Sequence, residues 1–351
     1  MIKQRKRKEV NLNSFMNVNP TVVTVSQTNL VETSYLNGVE YPLVITPTVQ
    51  DVDLVDWAAN SRDYLEEELL KHGAILFRGF GIHSVADFER FAKAICPDLY
   101  GDYGDLPHED GKIYQSTPFP KDKIILFHNE SSHMHQWPRK QFFACMKAAK
   151  EGGETPLVDC RKVYRELDPE ITRNFEEKRL MYVRNFIEGL DVPWQQFFHT
   201  DDKAKVEQMC RENGMEHEWT ANNGLRTRQL APGVITHPKT GEKSFFNQVE
   251  LHHPYFLDAE LRESLKTLYT SADEYPRNVY YGDGTPIPDA VMAEIERVYW
   301  DVSVASPWQE GDVIMLDNMI SAHARNPFEG ERKIIVALAE LTGANELVNE
   351  Q

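Results

Sequence analysis

The stretch that most constrains this chain is an apolar run at 124–127 that leads directly into His128-Asn129-Glu130. The run predicts a buried strand, and alternate side chains of a strand point to the same side, so an imidazole and a carboxylate can be presented together. A second imidazole, His323, follows another apolar run that begins at Gly311. Two histidines and one carboxylate on a rigid sheet are the ligands of a non-haem Fe(II) centre with three open coordination positions. The sequence therefore predicts an iron site formed by His128, Glu130 and His323.

A histidine followed by an acidic residue two positions later is a weak signal by itself, because this chain contains three such sequences. His108-Glu109-Asp110 lies in a segment rich in Pro and Gly, and His199-Thr200-Asp201 lies where a helix cap is expected. Only His128 follows a continuous apolar strand, the support that a preorganised metal site needs. A structural role for all three is the alternative. The other paired histidines are predicted to be surface or substrate-side residues: His133 and His135, and His252 and His253.

Many short strands, with helices grouped between them, make up the rest of the pattern. Helical periodicity spans 51–71, 84–95, 163–178, 204–213 and 289–297. Strand-like runs occur at 74–80, 141–146, 182–186, 225–228, 302–304, 311–316 and 332–338, and 97–120 is predicted to be a loop. This pattern favours an α+β protein with a double-stranded β-helix (jelly-roll) core and flanking helices. Residues 1–38 are predicted to be a flexible N-terminal segment, and residues 39–345 a single domain.

Charge and cysteine content limit the partners of the chain. A net charge of -17 argues against nucleic acid and anionic membrane surfaces, which require clustered Lys and Arg. The four cysteines form no CxxC pair, so neither a disulfide framework nor a structural zinc site is indicated. No apolar segment approaches the roughly 18 residues needed to span a bilayer, and the basic residues 1–8 precede no apolar signal core. A cytoplasmic protein is predicted, and a monomer and a homo-oligomer both stay open.

An iron site of this kind needs a co-substrate that chelates the metal and supplies electrons to O2, and 2-oxoglutarate, a dianion, is the familiar one. Its distal carboxylate requires a fixed cation, for which the forked guanidinium of arginine is best suited. Arg332 lies on the predicted returning strand, and Arg325 and Lys333 are its competitors. Strand alternation alone does not decide which of the three faces inward. Thr155, after the Gly152-Gly153 turn, is the candidate hydroxyl for the same carboxylate.

Several motifs, taken in chain order, resemble one known family. They are Gly73-Ala74-Ile75-Leu76-Phe77-Arg78-Gly79-Phe80, Phe127-His128-Asn129-Glu130, Gly152-Gly153-Glu154-Thr155-Pro156, His237-Pro238-Lys239-Thr240-Gly241-Glu242 with Phe246-Asn247-Gln248, and Asp317-Asn318 to His323 with Pro327-Phe328-Glu329-Gly330-Glu331-Arg332. The set resembles the TauD/TfdA (taurine dioxygenase-like) family, and within it the syringomycin-cluster hydroxylase-like or clavaminate synthase-like branch. The resemblance implies a jelly-roll core, Fe(II) held by His128, Glu130 and His323, and 2-oxoglutarate held by Arg332 and Thr155.

Two departures from the family pattern bear on the reaction. Glu130 stands where the family more commonly has Asp, as in its clavaminate synthase-like subset. Related halogenases lack this carboxylate so that chloride can bind, and Glu130 therefore favours hydroxylation or desaturation over chlorination. The interval from His323 to Arg332 is short for the family, which keeps Arg325 open as the 2-oxoglutarate arginine.

The branch resembled implies hydroxylation of an unactivated C–H bond of an amino acid or amino-acid-derived substrate, free or tethered to a carrier protein, in natural-product biosynthesis. Arg184-Asn185 and Arg226 or Arg228 are candidates for a substrate carboxylate, and the segment with His133 and His135 is a candidate lid. Within the same chemistry, the alternatives are a desaturase and an oxygenase of small sulfonates or carboxylates. Alternatives of other classes are a non-catalytic jelly-roll binding protein and a zinc hydrolase.

Overall fold

The computed structural model describes residues 30–38, 40–101, 106–187 and 192–343. Within these ranges the chain forms twenty strands and ten α-helices, which are numbered in chain order. The large sheet contains β1 (Val31–Tyr35), β2 (Leu43–Pro47), β3 (Ala74–Phe77), β4 (Leu99–Tyr100), β5 (His108–Asp110), β6 (Ile113–Gln115), β8 (Gln136–Lys147), β17 (Val313–Asp317) and β20 (Lys333–Gly343). Its strands lie in the order β1-β2-β3-β17-β8-β20-β6-β5, and β4 pairs with β20.

Three helices cover the outer face of this sheet: α1 (Leu54–Asn60), α2 (Arg62–His72) and α3 (Val85–Ile95). The alternation of side chains along β8 shows how the two faces differ. Phe142 and Ala144 pack with apolar residues of the three helices, whereas Phe143 and Cys145 pack on the opposite, inner face. Because both faces of β8 are buried, its central residues form a nearly continuous apolar run.

A three-stranded sheet lies against the inner face of the large sheet. Its strands are β10 (Leu157–Asp159), β18 (Ser321–Arg325) and β7 (Ile125–His128), in the order β10-β18-β7. Leu157 belongs to the same apolar cluster as the inner-face residues of the large sheet. The ring of Phe143 lies 4.9 Å, centroid to centroid, from that of His323 on β18. The two sheets are therefore the layers of one sandwich.

Further elements pack behind the three-stranded sheet. A four-stranded sheet has the order β12-β13-β11-β16 and is made of β11 (Leu180–Phe186), β12 (Glu216–Thr220), β13 (Gly224–Ala231) and β16 (Arg277–Tyr281). Two ribbons pair β9 (Glu151–Gly152) with β19 (Phe328–Glu329) and β14 (Ile235–Thr236) with β15 (Lys243–Ser244). The remaining helices are α4 (Cys160–Glu166), α5 (Pro169–Lys178), α6 (Trp194–Phe197), α7 (Lys203–Glu212), α8 (Val249–His252), α9 (Ala259–Leu268) and α10 (Asp289–Val302).

The predicted α+β architecture, a strand sandwich with flanking helices, is confirmed. The predicted helix at 51–71 is two helices, because Ser61 ends α1 through its N–H bond to Ala58 O (3.1 Å) and its own carbonyl begins α2. The predicted strand at 302–304 is wrong: Val302 ends α10, and Val304 makes an isolated bridge to Leu157. The predicted loop at 97–120 includes β4, β5 and β6, which extend the large sheet.

Much of the predicted flexible N-terminal segment, residues 1–29, lies outside the described residues. The prediction is wrong for Val31–Tyr35, which form β1 because their backbone pairs in antiparallel register with β2. In the part of the chain that is described, no helix combines the length and the apolar composition that crossing a membrane requires.

Candidate metal centre and adjoining pocket

The predicted ligands His128, Glu130 and His323 come together between the two layers of the sandwich. His128 is the last residue of β7 and pairs with His323 on β18, and their ring centroids lie 4.2 Å apart. One ligand atom from each of the three side chains lies within 4.8 Å of the others, and all three side chains are buried. The three side chains are therefore close enough for a single ion to bind all of them.

Two details of this arrangement differ from the prediction. Glu130 does not continue the strand, because β7 ends at His128 and Glu130 lies in the turn that follows, next to Ser131 with its positive φ of 57°. His323 does not end the strand that begins near Gly311. That strand, β17, stops at Asp317, and after a turn His323 is the central residue of β18. Tertiary contacts, rather than strand alternation, hold Glu130 beside the histidines.

Two asparagines supply those contacts. The Asn318 side chain accepts a hydrogen bond from Glu130 N–H (2.7 Å) and donates to Glu130 O and Pro138 O (both 2.9 Å). The Asn129 side chain donates to Asn318 O (2.7 Å) and Ser321 O (3.2 Å). Both asparagines are fully buried. Because a buried amide left unpaired is costly, these bonds fix the Glu130 turn against the segment that leads into β18.

The hydrogen bonding of the two imidazoles fits a metal centre. His128 Nδ1 lies 2.8 Å from Leu126 O, which can only accept, so Nδ1 carries the proton and Nε2 is left for a metal. His323 Nδ1 is buried without a hydrogen-bond partner among the described residues. Burial and the neighbouring His128 hold the pKa of His323 well below its usual value, which keeps the ring neutral. Asp317, six residues before His323, pairs with His237 Nε2 (3.1 Å) and not with His323.

Strand β8 of the large sheet adds two residues that the sequence analysis did not assign to the site. Gln141 Nε2 donates to Glu130 Oε2 (3.2 Å), while Gln141 Oε1 is buried with no hydrogen-bond partner in the described ranges. Phe143 lies against the ring of His323. A polar residue at the start of the apolar run of β8 was the signal that could have indicated Gln141.

A pocket opens beside the three ligands and is also lined by Thr155, Arg325 and Arg332. Arg332 Nε donates to Gly153 O (2.8 Å), and Nη2 lies 3.5 Å from Thr155 Oγ1. Gly153 has a φ of 73°, and a Cβ there would lie 3.0 Å from Arg332 Cδ, so glycine is needed for this close approach. Burial, and next the charge of Arg325, lower the pKa of Arg332 to about 10. A bound anion would offset both effects.

Arg325 lines the same pocket, but most of its N–H groups donate hydrogen bonds to a surface segment at 116–123. Its Nη1 donates to Phe119 O (3.1 Å), and its Nη2 donates to Pro120 O and Lys123 O (both 2.6 Å). Ser116 of this segment lines the pocket. Arg325 Nε is buried with no hydrogen-bond partner in the part of the chain that is described. Arg325 therefore ties the 116–123 segment over the pocket and keeps one donor for a ligand.

Lys333, the third candidate for the co-substrate carboxylate, is not part of the pocket lining. It is about half exposed and pairs with Glu109 of β5. Its side chain neutralises a carboxylate of the first His-x-acid motif, so that motif is part of a surface ion pair. His199, from the third motif, precedes α7, whose N-cap is Asp202, as predicted.

Three rings form a cluster close to His128. His133 lies 5.2 Å from His252 and 5.9 Å from Tyr182, and the last two rings lie 4.8 Å apart, all measured between ring centroids. Burial is the main cause that lowers the pKa of His252 to about 3, and burial likewise holds the pKa of His133 well below its usual value. His128 has a minor electrostatic influence on both rings, which agrees with a position of the cluster next to the candidate metal centre.

The candidate substrate residues fall on two different faces of the four-stranded sheet. Arg184 lies two residues beyond Tyr182 on β11, and thus on the same face, directly opposite Arg277 of β16. Asn185 and Arg228 lie on the other face. Asn185 donates to Asp273 O (2.8 Å) and Tyr275 O (2.7 Å), and Arg228 pairs with Asp273 (2.6 Å). The prediction is therefore wrong for Asn185 and Arg228, whose side chains hold the 271–275 turn.

The predictions for the paired histidines also need correction. His252 and His253 are both buried, at the end of α8, because the 247–252 segment packs against the turn that carries Glu130. His135, the predicted substrate-side residue, lies immediately before β8, whereas its neighbour His133 joins the ring cluster. The two imidazoles therefore lie in different surroundings, although they are only two residues apart in the sequence.

Comparison with known proteins agrees with this geometry. The model of the family described as taurine catabolism dioxygenase TauD, TfdA family matches residues 41–338. The dapdiamide synthesis protein DdaC of Enterobacter agglomerans is 33% identical over 308 residues, covering 87% of this chain and 93% of DdaC. A clavaminate synthase-like protein of Arabidopsis thaliana is 29% identical over 339 residues, covering 90% of this chain and 98% of that protein. PvcB of Pseudomonas aeruginosa has a similar fold, with a TM-score of 0.55 and 13% identity over 92% of this chain and 94% of its own.

Proposed function

This chain belongs to the taurine catabolism dioxygenase TauD, TfdA family, and from that premise we propose that it hydroxylates an unactivated C–H bond of an amino acid or amino-acid-derived substrate in natural-product biosynthesis. Family membership makes it an oxygenase dependent on Fe(II), 2-oxoglutarate and O2. The match over residues 41–338 supports treating residues 39–345 as one catalytic domain. The buried cluster of His128, Glu130 and His323 is the single observation that carries the assignment of the site.

In this proposal His128 Nε2, a Glu130 oxygen and His323 bind Fe(II), which with 2-oxoglutarate supplies the means of activating O2 for attack on a C–H bond. The protein holds these ligands in place before the metal arrives. The Leu126 carbonyl orients His128, and the Asn318 side chain orients the backbone of Glu130. The carboxylate of Glu130 occupies the position that a chloride ligand would need, which favours hydroxylation or desaturation over chlorination.

Arg332 and Thr155 hold the distal carboxylate of 2-oxoglutarate in this proposal. Arg332 is half-buried beside the candidate ligands, and burial and the charge of Arg325 lower its pKa to about 10, so a bound carboxylate would stabilise its charged form. Arg325 has a secondary role, because three backbone carbonyls already occupy its two Nη groups. We therefore assign to Arg332 the role that the sequence left open between Arg325 and Arg332.

A carboxylate on the substrate is proposed to lie near Arg184. Arg184 lies directly opposite Arg277 on the neighbouring strand. Burial is the main cause that lowers the pKa of His133 and His252 beside the candidate metal centre, and the positive charges of both arginines add to this effect. The relatives support the substrate class: DdaC is a dapdiamide synthesis protein, and PvcB is an Fe, alpha-ketoglutarate dependent oxygenase from an isonitrile synthetic pathway.

Anaerobic visible spectroscopy tests the assignment of the metal ligands. Addition of Fe(II) and 2-oxoglutarate to the protein should give a weak metal-to-ligand absorption band, and His128→Ala or His323→Ala should remove both the band and stoichiometric iron binding. His108→Ala, in the first motif of the same spacing, is the matched control and should keep both. Iron binding that survives in His128→Ala and His323→Ala would contradict the assigned ligands.

A panel of free and carrier-tethered amino acids tests the substrate class through substrate-dependent release of succinate. Arg184→Gln should raise the KM of a carboxylate-bearing substrate by about tenfold or more, because a charge-assisted hydrogen bond is lost. Arg228→Gln, on the opposite face of the same sheet, is the control and should leave this KM unchanged. If no amino acid or amino-acid derivative stimulates succinate release, the proposed substrate class is wrong, although the oxygenase chemistry would still stand.

A further inference from the structure

The hydroxyl of Thr155 receives two hydrogen bonds in the pocket. Trp308 Nε1 lies 3.2 Å from Thr155 Oγ1, and Arg332 Nη2 lies 3.5 Å from the same oxygen. An indole N–H and a guanidinium N–H can only donate, so both contacts use the lone pairs of the oxygen. A hydroxyl has two lone pairs and one hydrogen. With both lone pairs used, the Thr155 hydroxyl can act only as a donor to any further group.

We propose that Trp308 is a positioning residue: its indole N–H holds the Thr155 hydroxyl as a hydrogen-bond donor toward an anionic group that Arg332 binds. The inference rests on the proposed function, in which that group is the distal carboxylate of 2-oxoglutarate. An ionised carboxylate only accepts hydrogen bonds, so a hydroxyl fixed as a donor matches it. Without Trp308 the hydroxyl is free to rotate, and binding of the carboxylate must then include the cost of ordering it.

Trp308 is itself held by a buried ion pair. Arg78 Nη2 and Asp312 Oδ2 are 2.7 Å apart, and Asp312 is fully buried. Arg78 Nη2 also donates to Pro307 O (3.0 Å), and Asp312 Oδ2 accepts from Gln309 N–H (2.9 Å). The residues immediately before and after Trp308 are therefore both bound to one ion pair. A loop residue held on both sides in this way can keep its side chain in one orientation.

The location of the ion pair explains why a residue on a connecting segment can reach the pocket. Asp312 immediately precedes β17, and Arg78 immediately follows β3, which pairs with β17 in the large sheet. The ion pair therefore stands on two adjacent strands of the sandwich. Thr155 precedes β10 in the facing three-stranded sheet. The bond from Trp308 to Thr155 thus joins the two layers at the end of the pocket that holds Arg332.

The test compares two 2-oxo acids of the same chain length. Anaerobic titration of the Fe(II)-loaded protein, followed by the visible absorption band, gives the Kd of 2-oxoglutarate and of 2-oxopentanoate, which lacks the distal carboxylate. Trp308→Phe should raise the Kd of 2-oxoglutarate by about three- to tenfold, which is less than the effect of losing a full hydrogen bond to a charge. It should change the Kd of 2-oxopentanoate by less than about twofold. Trp219→Phe, which removes an indole N–H bonded to Glu207, is the matched control and should change neither Kd.

Two further variants extend the test, and the first of them keeps the indole, so it applies even if Trp308→Phe folds poorly. Arg78→Lys cannot reproduce the forked contacts of arginine. It should weaken the binding of 2-oxoglutarate, but not that of 2-oxopentanoate, and by less than Trp308→Phe does. Thr155→Val should remove the effect of Trp308→Phe, so that the double variant binds 2-oxoglutarate no more weakly than Thr155→Val alone. Equal weakening of both oxo acids, additive effects in the double variant, or an unchanged Kd would overturn the role of Trp308. Absence of any band in the unmutated protein would instead contradict the proposed function.

Discussion

Glu250 offers a quantitative test of how the candidate metal centre is supported. Its carboxyl is 1% exposed on α8, where one oxygen accepts a hydrogen bond from the N–H of Phe127 (2.9 Å), the residue before His128. The other oxygen has no hydrogen-bond partner among the residues that the structure describes. Burial raises the pKa of Glu250 from 4.5 to about 8, and nearby Glu296 adds to the increase. The carboxyl is therefore mostly protonated in the folded protein at neutral pH.

The sign of the resulting pH dependence follows from proton linkage. Between pH 4.5 and about 8 the folded state holds a proton on Glu250 that the unfolded state releases. The free energy of unfolding therefore falls as pH rises through this window, by about 1.4 kcal/mol per pH unit from this group. Between pH 5 and pH 7 the loss amounts to about 2.5 kcal/mol. Glu250→Gln imitates the protonated acid and removes this term, while its amide oxygen can still accept from Phe127.

Urea unfolding of the metal-free protein at pH 5, 6, 7 and 8 measures the effect, with EDTA present so that iron binding does not contribute. The free energy of unfolding of Glu250→Gln, minus that of the unmutated protein, should increase by about 2.5 kcal/mol between pH 5 and pH 7. Glu260→Gln removes an exposed carboxylate of α9 and controls for net charge, so its curve should run parallel to that of the unmutated protein. Parallel curves for Glu250→Gln as well would refute the reasoning.

Three further substitutions test the supports of the site. Asn318→Ala should lower the free energy of unfolding by about 3 kcal/mol, because it leaves three buried backbone groups without their partner, and should weaken iron binding; urea unfolding that matches the unmutated protein would show that the Asn318 side chain does not support the Glu130 turn. Arg325→Gln should speed tryptic cleavage after the exposed Lys123 by about tenfold or more while the urea midpoint changes little, since three carbonyl bonds to the 116–123 segment are lost. Arg332→Met should raise the KM for 2-oxoglutarate by about tenfold or more, whereas Lys333→Met should leave it unchanged; the reverse order would move the anion site.

Local patterns in the sequence were sufficient to predict several elements of the fold, among them the strand that presents His128. The apolar run before His128 predicted β7, the helical periodicity at 84–95 predicted α3, and the returning run at 332–338 predicted β20. These features depend on neighbouring residues, because strand alternation, capping and helical periodicity are properties of short segments. Identity of the three candidate ligands followed from combining two such segments.

The features that the sequence left unresolved depend on contacts between distant segments. The hydrogen bond from the Asn129 side chain to Asn318 O spans 189 positions, and nothing near either residue in the sequence indicates its partner. The same limit explains Arg228, which looked like a substrate residue by composition but lies on the opposite face from Arg184. Neighbouring residues of a strand point to opposite faces of the sheet. A candidate residue that is misplaced by one position therefore points away from the site. The role of Trp308 likewise depends on Arg78, 230 residues earlier in the chain.

The charges of the pocket give a physical reason for coupling between the metal and the dianion. Arg325 and Arg332 contribute two positive charges, Glu130 one negative charge, and His323 is held neutral by burial. A divalent cation at the candidate ligands would add to this excess of positive charge, and a dianion beside Arg332 would offset it. The protein should therefore bind each more tightly when the other is present, and by linkage the two increases in affinity must be equal. In the proposed site Glu130 would contribute to both, because its carboxylate would bind the cation and limit the positive charge that the anion must neutralise.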